Sequence, residues 1–385
     1  MHDFSHATPA LRLHHGDQAL QQLPAELRRL DCQRAVVLCG ASLGRDALVI
    51  ERVRAALGPL CAGIAAEVQA HSPLPAIQHT AATLRTLQAD AVIALGGGSA
   101  IVTARAASIL LAEGAPPHQL CTGRDAAGQL RSPRLEAPKL PQLVIPTTPT
   151  TAIVKAGSAM LDPADGGRMA LFDPKTRARA VFIDPALLAT PPRTLVVSAG
   201  LNTLAMAIEG LCSTRGDPMA DAYLMHALRL LMTHLPTLAD GDSADARSQL
   251  MMASILCGHG TDYTGAGIAI PLGHAVSARF HVDNGLANAI VMPQVLRFNA
   301  QAAQAGLQKM AQALGMERSG AAALDSLLDA LQTLASRLQL PTRLRDIGVP
   351  RDALAAVSMD DWFVRDNPHP VHSAAELETL LSHAW

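Results

Sequence analysis

The stretch GLNTLAMAIEG, residues 200–210, carries two side chains that share one face of a predicted helix. Asn202 and Met206 lie four residues apart, and side chains at this spacing point the same way. Two ligands one helical turn apart can hold one metal ion, as an Asp and a His often do. An amide and a thioether are poor ligands for such an ion. The pair therefore indicates either a metal site that has lost its ligands or a helix that never had one.

A glycine-rich turn is the second feature with chemical meaning. In AVIALGGGSAIVTAR, the residues Gly96, Gly97, Gly98 and Ser99 follow a buried strand and open a helix. Glycines let a backbone approach a ligand closely, and the first turn of a helix offers free N–H groups and the positive end of the dipole. The turn therefore suits a pyrophosphate. It matches neither G-x-G-x-x-G nor the Walker A pattern, and a tight turn that only needs small residues would use the same letters.

Hydroxyl groups follow the next predicted strand. In VIPTTPTT they belong to Thr147, Thr148, Thr150 and Thr151. Ligands of parallel sheets bind outside the carboxyl ends of the strands, so these hydroxyls can line the same crevice as the glycine turn. A threonine-rich capping turn is the alternative interpretation.

The composition is that of a globular protein large enough for two domains. The chain has 385 residues, of which 49% are hydrophobic and 17% charged. The net charge is −2 and the sequence has no block of basic residues, which argues against a nucleic acid or an anionic membrane as partner. We therefore expect a small molecule as the substrate.

The N-terminal segment, the apolar runs and the cysteines indicate the cellular compartment. The segment MHDFSHATPALRLHH has no apolar core of the signal-peptide type, and we find no 18-residue apolar run elsewhere. The six cysteines form no C-x-x-C pair, so buried free thiols in a reducing cytosol are the plain interpretation. The sequence predicts a soluble cytoplasmic protein.

The first half of the chain alternates short apolar runs with helical patterns. The predicted strands are RAVVLCG, AGIAAEVQA, DAVIALG and PQLVIP, and the predicted helices are SLGRDALVIERVRAALG, PAIQHTAATLRTLQA and the stretch after the glycine turn. Strands that alternate with helices predict a parallel sheet built from βαβ units.

The second half of the chain is almost entirely helical in pattern, from about Val181 onward. Its helices are LVVSAGLNTLAMAIEGLCS, PMADAYLMHALRLLMTHL, DARSQLMMASILCGHG and the stretch from Asn299 to Leu338. The prolines of FIDPALLATPPR interrupt regular structure and mark a boundary. We predict an α/β dinucleotide-binding domain over residues 1–185 and an all-α domain, which carries substrate-cleft residues, over 186–385.

Several motifs together resemble a known family. They are GGGSAIVTAR, VIPTTPTT, FIDPALL, SAGLNTLAMAIEG, NGLANAIVMPQVLRFN and DNPHPVHSAAELETLLSHAW, in this order. The sequence resembles the iron-containing (group III) alcohol dehydrogenases over nearly its whole length, and Asn202 is similar to the maleylacetate reductase branch. The resemblance implies the dehydroquinate synthase-like fold, an N-terminal domain that binds NAD or NADP, a helical C-terminal domain and a homodimer.

The resemblance also implies which residues bind the cofactor. They are Gly96, Gly97, Gly98 and Ser99 at the pyrophosphate, with Thr147, Thr148 and Thr151. The family pattern has Asp and Lys where this chain has Val102 and Arg105, and an A-G-T-G-S-E run where it has PTTAIV. Lys155 follows as a newcomer. No acidic residue after the first strand marks a ribose 2′-hydroxyl contact, so NAD and NADP both remain open.

The metal ligands of the family are missing from the matching positions. In a match without gaps these positions are Asn202, Met206, Ile270 and Asn284, and none is a good ligand for Fe or Zn. A match with a gap would place His274 on one ligand position and leave the other three empty. His281 and Asp283 lie close in sequence and are the alternative ligands for such a site. The resemblance without its ligands predicts no metal.

His274 is the catalytic candidate, because in the match without gaps it falls on a family histidine near the substrate and the nicotinamide. An imidazole can give a proton to a forming alkoxide. Asn202 is a second catalytic candidate, as a hydrogen-bonding group. The residues expected at the substrate are Lys155, Met206, Ile270 and Asn284. Secondary candidates are His259 and Asp262, with Arg105 and Arg279 as cations for a dianionic substrate.

Three functional hypotheses follow. The first is a metal-independent NAD(P)H reductase of the maleylacetate reductase kind, acting on a ring-cleavage oxo acid or a related carbonyl. The second is a homologue without redox activity, either a non-redox lyase or isomerase or a binding subunit. The third is a metal-dependent alcohol dehydrogenase with displaced ligands. Nicotinamide binding separates the first two, and metal analysis decides the third.

Overall fold

The computed structural model describes residues 3–126, 129–162, 167–316, 320–354, 364 and 367–385. Its contacts divide the chain into two compact units. The sheet unit consists of residues 9–148 and 152–191. The helical unit consists of the segment up to Thr8, residues 149–151 and the chain from Pro192 onward. The main division thus lies between Pro191 and Pro192, just after the boundary placed at residue 185, and two short segments group with the helices.

The strands of the sheet unit are short and apolar. They are β1 Arg12–His15, β2 Ala35–Gly40, β3 Cys61–Val68, β4 Ala91–Gly96, β5 Gly123–Arg124, β6 Leu130–Arg131, β7 Gln142–Pro146, β8 Gly157–Leu161, β9 Arg168–Phe172 and β10 Ala178–Ile183. Six of them form one parallel sheet in the order β1-β10-β7-β4-β2-β3. The pairs β5–β6 and β8–β9 are antiparallel hairpins. The central strands are buried on both faces, as parallel strands covered by helices must be.

The helices of the sheet unit connect these strands. They are α1 Leu23–Arg29, α2 Ala41–Arg45, α3 Ala47–Leu57, α4 Leu74–Thr86, α5 Gly98–Glu113, α6 Pro117–Leu120 and α7 Pro185–Leu188. The stretch predicted as one helix, SLGRDALVIERVRAALG, is two. Asp46 leaves the helical conformation, with ψ of 99°, and its side chain accepts hydrogen bonds from the amides of Leu48 and Val49. An aspartate in this position starts a new helix rather than continuing the old one.

Two strands of the main sheet were not predicted. The prediction of helical structure from Val181 onward is wrong for residues 181–183, because β10 runs through Ile183 between β1 and β7. The prolines that mark the boundary come only after this strand ends. The four residues of β1, RLHH, are largely polar and mostly exposed at the sheet edge, so they lack the apolar run that identified the central strands.

The helical unit is a bundle around a single apolar core. Its helices are α8 Arg193–Cys212, α9 Pro218–His234, α10 Ala244–Thr264, α11 Ala269–Phe280, α12 Asn284–Asn299, α13 Gln304–Ala313, α14 Ala321–Arg337 and, at the C-terminus, α15 Ala374–Ala384. Together with the parallel sheet, this bundle confirms the predicted fold class, an α/β domain followed by an all-α domain.

Helix α8 is the centre of the bundle. By length and composition it could cross a membrane, with a mean hydropathy of 1.6 over its most apolar window, but 72% of that window is buried inside the protein. It packs against α9, α10, α11, α12 and α13. The apolar character of α8 is therefore that of a core helix. Its few polar residues, which include Asn202 and Glu209, place polar groups within the bundle core.

Candidate functional site

The glycine turn and the threonine run meet at the carboxyl edge of the sheet. Strands β4 and β7 are neighbours, with Gly96 opposite Pro146. The amide of Thr147 donates a hydrogen bond of 3.0 Å to the carbonyl of Gly96. The structure therefore brings Gly96, Gly97, Gly98 and Ser99 together with Thr147 and Thr148, as parallel strands with adjacent carboxyl ends require.

The backbone of this turn needs glycine at two positions. Gly96 has a φ of +139°, a conformation that residues with a side chain rarely adopt. A Cβ atom on Gly97 would lie 2.6 Å from Oγ1 of the buried Thr148. Gly97 is the N-cap of α5, and no described side chain caps this helix end. Since the first amides of a helix have no partner inside it, Gly98 and Ser99 can offer theirs to an anion. These residues fit the pyrophosphate of a dinucleotide.

Substitution of Gly97 by Ala is expected to weaken binding of NADH or NADPH by about tenfold or more, because the added methyl must displace Thr148 or move the turn. Titration by reduced-nicotinamide fluorescence measures the effect. Gly123→Ala is the matched control, since a Cβ there meets no atom within 4 Å. Equal affinities of the two variants would show that the turn does not contact the cofactor.

Arg105 does not present its charge to a ligand. The side chain is fully buried on α5, and its guanidinium donates to the carbonyls of Ala152, at 2.7 Å, and Gly157. Arginine can satisfy several carbonyls at once because its donors form a planar fork. Its nomination as a cation for a dianionic substrate is corrected accordingly, since the side chain holds the segment 152–157 inside the sheet unit. Val102, in place of the family's Asp, is half-buried on the same helix.

Two asparagines form a buried pair in the helical unit. Nδ2 of Asn288, on α12, donates a hydrogen bond of 2.9 Å to Oδ1 of Asn202, on α8. Asn288 is fully buried, whereas Asn202 is half-buried. The amide oxygen of Asn202 accepts this bond, so its NH₂ group keeps both of its hydrogens for a ligand. The pair thus orients the oxygen of Asn202 toward Asn288 and leaves its NH₂ group as the donor side.

Glycines allow three helices to approach this pair. A Cβ on Gly273, in α11, would lie 1.7 Å from Oδ1 of Asn288. A Cβ on Gly285, in α12, would lie 1.7 Å from the carbonyl oxygen of Ser198 in α8. Gly273 directly precedes His274, so the same close packing fixes the part of α11 that carries this half-buried histidine. The arrangement depends on the absence of side chains at both positions.

Substitution of Gly285 by Ala is expected to lower the free energy of unfolding of the helical unit by about 1–3 kcal/mol, because backbone must move to admit the methyl group. Thermal or urea unfolding followed by circular dichroism measures the loss. Gly241→Ala serves as control, because a Cβ there meets nothing within 4 Å. An unchanged midpoint for Gly285→Ala would contradict the tight contact of α12 with α8.

The four positions that match the family's metal ligands do not fit a metal ion. The oxygen of Asn202 is hydrogen-bonded to Asn288, and the sulfur of Met206 accepts a hydrogen bond of 3.5 Å from the hydroxyl of Thr151. Ile270 is buried and has no donor atom, and Asn284 is the half-buried first residue of α12. Divalent Fe and Zn require imidazole, carboxylate or thiolate ligands, and this set provides none of them.

The two residues considered as alternative metal ligands, His281 and Asp283, lie at helix ends. His281 is the C-cap of α11 with a φ of 55°, and Asp283 is the N-cap of α12; both are exposed. Within the described residues, no group of three or more His, Cys, Asp and Glu side chains is arranged to hold a metal ion. Arg279 is also exposed on α11, with its guanidinium carbon over the Phe280 ring, 5.9 Å from the ring centroid.

The remaining candidates are distributed over both units. His259 and Asp262 are half-buried on α10, and the ring of His259 lies 5.7 Å from that of Tyr223. Lys155 is half-buried in the sheet unit. Thr151, expected at the cofactor, groups with the helical unit, where its hydroxyl contacts Met206. Its roles and those of Lys155, His259 and Asp262 stay predictions.

Sequence reasoning missed a second buried polar contact beneath α11. The carboxylate of Glu209, almost fully buried on α8, accepts a hydrogen bond of 2.6 Å from the amide of Ala269, at the start of α11. A carboxylate at a helix N-terminus stabilises the helix through free amides and the dipole. The sequence signal for this contact was Glu209 itself, an acidic residue inside the apolar pattern AMAIEGLC. Glu209 and Asn288 thus hold α11 and its His274 against α8 and α12.

The N-terminal segment is also attached to the helical unit. Nδ1 of His6 lies 3.0 Å from Oδ2 of Asp217, and its ring stacks on Tyr263 at 4.0 Å. Burial alone would raise the pKa of the Asp217 carboxyl, but hydrogen bonds from His6 and from the amides of Ala220 and Met219 lower it below its usual value. These contacts explain why the segment up to Thr8 groups with the helices.

Comparison with known proteins agrees with this architecture. Residues 10–185 match the model of the iron-containing alcohol dehydrogenases, and residues 196–385 match the C-terminal model of the same family. A maleylacetate reductase of Burkholderia cepacia is 28% identical, over 96% of this chain and 94% of that protein. An NAD-dependent methanol dehydrogenase of Bacillus methanolicus is 25% identical, over 96% and 97%.

A solved structure of the maleylacetate reductase from Rhizobium sp. strain MTP-10005 superposes with a TM-score of 0.80 at 25% identity, and the match covers 100% of this chain and 99% of that one. The two family models together span both units, and the relatives match nearly end to end. The chain therefore belongs to the iron-containing alcohol dehydrogenase family of NAD(P)-dependent oxidoreductases, with the dehydroquinate synthase-like fold.

Proposed function

We propose that this protein is a metal-independent NAD(P)H reductase of the maleylacetate reductase type, which acts on a small oxo acid or carbonyl as a cytoplasmic homodimer. The observation that carries the proposal is the pair Asn202–Asn288, which occupies a metal-ligand position with an amide directed as a donor. The maleylacetate reductases among the relatives and solved structures support the substrate class. The absence of the family's ligand types at all four positions supports metal independence.

The chemistry requires stabilisation of a forming oxyanion. When bound, the nicotinamide supplies a hydride to the substrate, and negative charge develops on the carbonyl oxygen. The NH₂ group of Asn202 donates a hydrogen bond to that oxygen, which does part of what a metal does in metal-dependent relatives. The imidazolium of His274 gives the oxygen its proton and is left as neutral imidazole, which solvent reprotonates. The backbone amides at Gly98 and Ser99 bind the cofactor pyrophosphate.

Titration of the purified protein with NADH and NADPH tests the proposal first. We expect at least one of them to bind, with enhanced nicotinamide fluorescence, and we expect maleylacetate to oxidise the bound cofactor faster than propanal does. Lack of binding of both cofactors would contradict the proposal and favour a homologue without redox activity. Binding without turnover of any oxo acid would contradict the assigned substrate class.

Removal of metal ions is expected to leave the reductase rate unchanged within experimental error, because the donor atoms of Asn202 and Met206 are already hydrogen-bonded inside the protein. The measurement compares the rate before and after dialysis against EDTA, with elemental analysis of the same samples. Stoichiometric Fe or Zn, together with loss of activity that the metal restores, would instead support a metal-dependent dehydrogenase with displaced ligands.

A further inference from the structure

A cavity of about 370 Å³ lies inside the helical unit, among α8, α12, α14 and α15. Pockets for small molecules usually enclose roughly 300–1,000 Å³, so its volume admits a small ligand. It lies on faces of α8 and α12 other than those that form the Asn202–Asn288 pair. Leu201, Leu204 and Ile208 line it, and they are one or two residues away from Asn202 and Met206 along the helix.

The floor of this cavity is apolar. Leu201, Leu204 and Ile208 of α8 and Leu334 of α14 line it and are almost completely shielded from solvent. Leu328 and Leu331 of α14 continue the same surface. Aliphatic walls of this kind bind hydrocarbon by the hydrophobic effect, at roughly 25 cal/mol per Å² of buried apolar surface. They offer no hydrogen-bond partners to a sugar, a nucleobase or another strongly polar molecule.

The rim of the cavity is charged, and positive groups outnumber negative ones. The positive groups are the guanidinium groups of Arg297 and Arg343, and the negative group is the carboxylate of Asp329; the ring of His383 also lines the cavity. Both arginines are exposed, and within the described part of the chain neither forms an ion pair. Two guanidinium groups on one rim favour an anion with planar oxygens, because their donors match a carboxylate.

We propose that the cavity binds an amphiphilic carboxylate, such as a medium-chain fatty acid. The hydrocarbon chain lies on the leucines of α8 and α14, and the carboxylate lies between Arg297 and Arg343. A neutral lipid would leave the arginines without a partner, and a polyanion such as a nucleotide would place polar groups on the apolar floor at a cost. The inference is independent of the reductase reaction.

Isothermal titration of the protein with decanoate, below its micellar concentration, tests this site. We expect one decanoate per chain and at least about tenfold weaker binding of decanol, since hydrogen bonds to a charged group are lost. The double variant Arg297→Ala/Arg343→Ala should bind decanoate about tenfold less tightly and decanol unchanged. Arg229→Ala, an exposed arginine of α9 that does not line the cavity, is the control.

A second variant tests the apolar floor. Ala335→Phe on α14 fills the cavity and should abolish binding of decanoate, whereas Ala330→Phe, on the same helix and outside the cavity lining, should not. Absence of decanoate binding, equal binding of decanol, or an undiminished affinity in the double arginine variant would overturn the proposal. The arginine side chains are exposed, so that variant remains informative even if Ala335→Phe fails to fold.

Discussion

Substitution of His274 by Ala is expected to lower kcat for carbonyl reduction by about 10²–10⁴-fold, the usual contribution of a positioned general acid. The affinity for NADH or NADPH should not change, because in the proposed function the pyrophosphate contacts come from the glycine turn of the sheet unit. His274 is half-buried on α11, and its helix is held by the close contact of Gly273 with Asn288 and by the carboxylate of Glu209. These contacts hold the backbone of α11 at the position that carries His274.

The dependence of this rate on pH distinguishes a proton donor from a packing residue. In the unsubstituted protein, the rate of reduction should fall as the pH rises and the imidazolium loses its proton. The His274→Ala variant should lack this limb, and its residual rate should be nearly flat. His226→Ala, which removes an exposed histidine of α9, is the matched control and should behave as the parent protein. Full activity of the His274→Ala variant would remove His274 from the mechanism.

The fold class could be predicted because it rests on local patterns. Buried parallel strands such as β2, β4 and β7 are uninterrupted apolar runs, and the helices between them have clear polar and apolar faces. The edge strand β1 lacks such a run, since its outer side faces solvent and its residues are polar. The break between α2 and α3 lies at Asp46, whose N-cap role is set by its side chain, while the hydrophobic periodicity runs on through it.

Part of the candidate site could be predicted for the same reason. The glycine turn and Thr147 and Thr148 follow neighbouring strands, so the topology of the sheet alone brings them together. Asn288 and Asn202 are 86 positions apart, and only the packing of α8 on α12 makes them partners. The burial of Arg105 was equally hidden, because its position on α5 showed a charge but not the carbonyls that surround it. Contacts distant in sequence thus account for most of what was missed.

The amide pair leads to the second large effect. Substitution of Asn202 by Ala is expected to lower kcat by about 10²–10³-fold, the usual cost of removing one oxyanion donor. Substitution of Asn288 by Asp should lower kcat to a similar degree, although Asn288 is not a residue proposed to contact the substrate. A carboxylate can only accept hydrogen bonds, so Asn202 must rotate and donate its NH₂ group to the new side chain, which leaves its oxygen toward the substrate.

A double-mutant cycle then separates positioning from general loss of structure. If Asn288 acts through Asn202, the double variant Asn202→Ala/Asn288→Asp should be no slower than Asn202→Ala alone. The matched control is a second buried amide pair of the same unit, Asn299 and Asn367, which exchange hydrogen bonds of 3.0 and 2.7 Å. Asn299→Asp should cost stability of the same kind but leave kcat near that of the parent. Additive losses in the cycle, or an equal loss of kcat in the control, would show that the Asn202–Asn288 pair serves the packing of α8 on α12 and does not orient a donor.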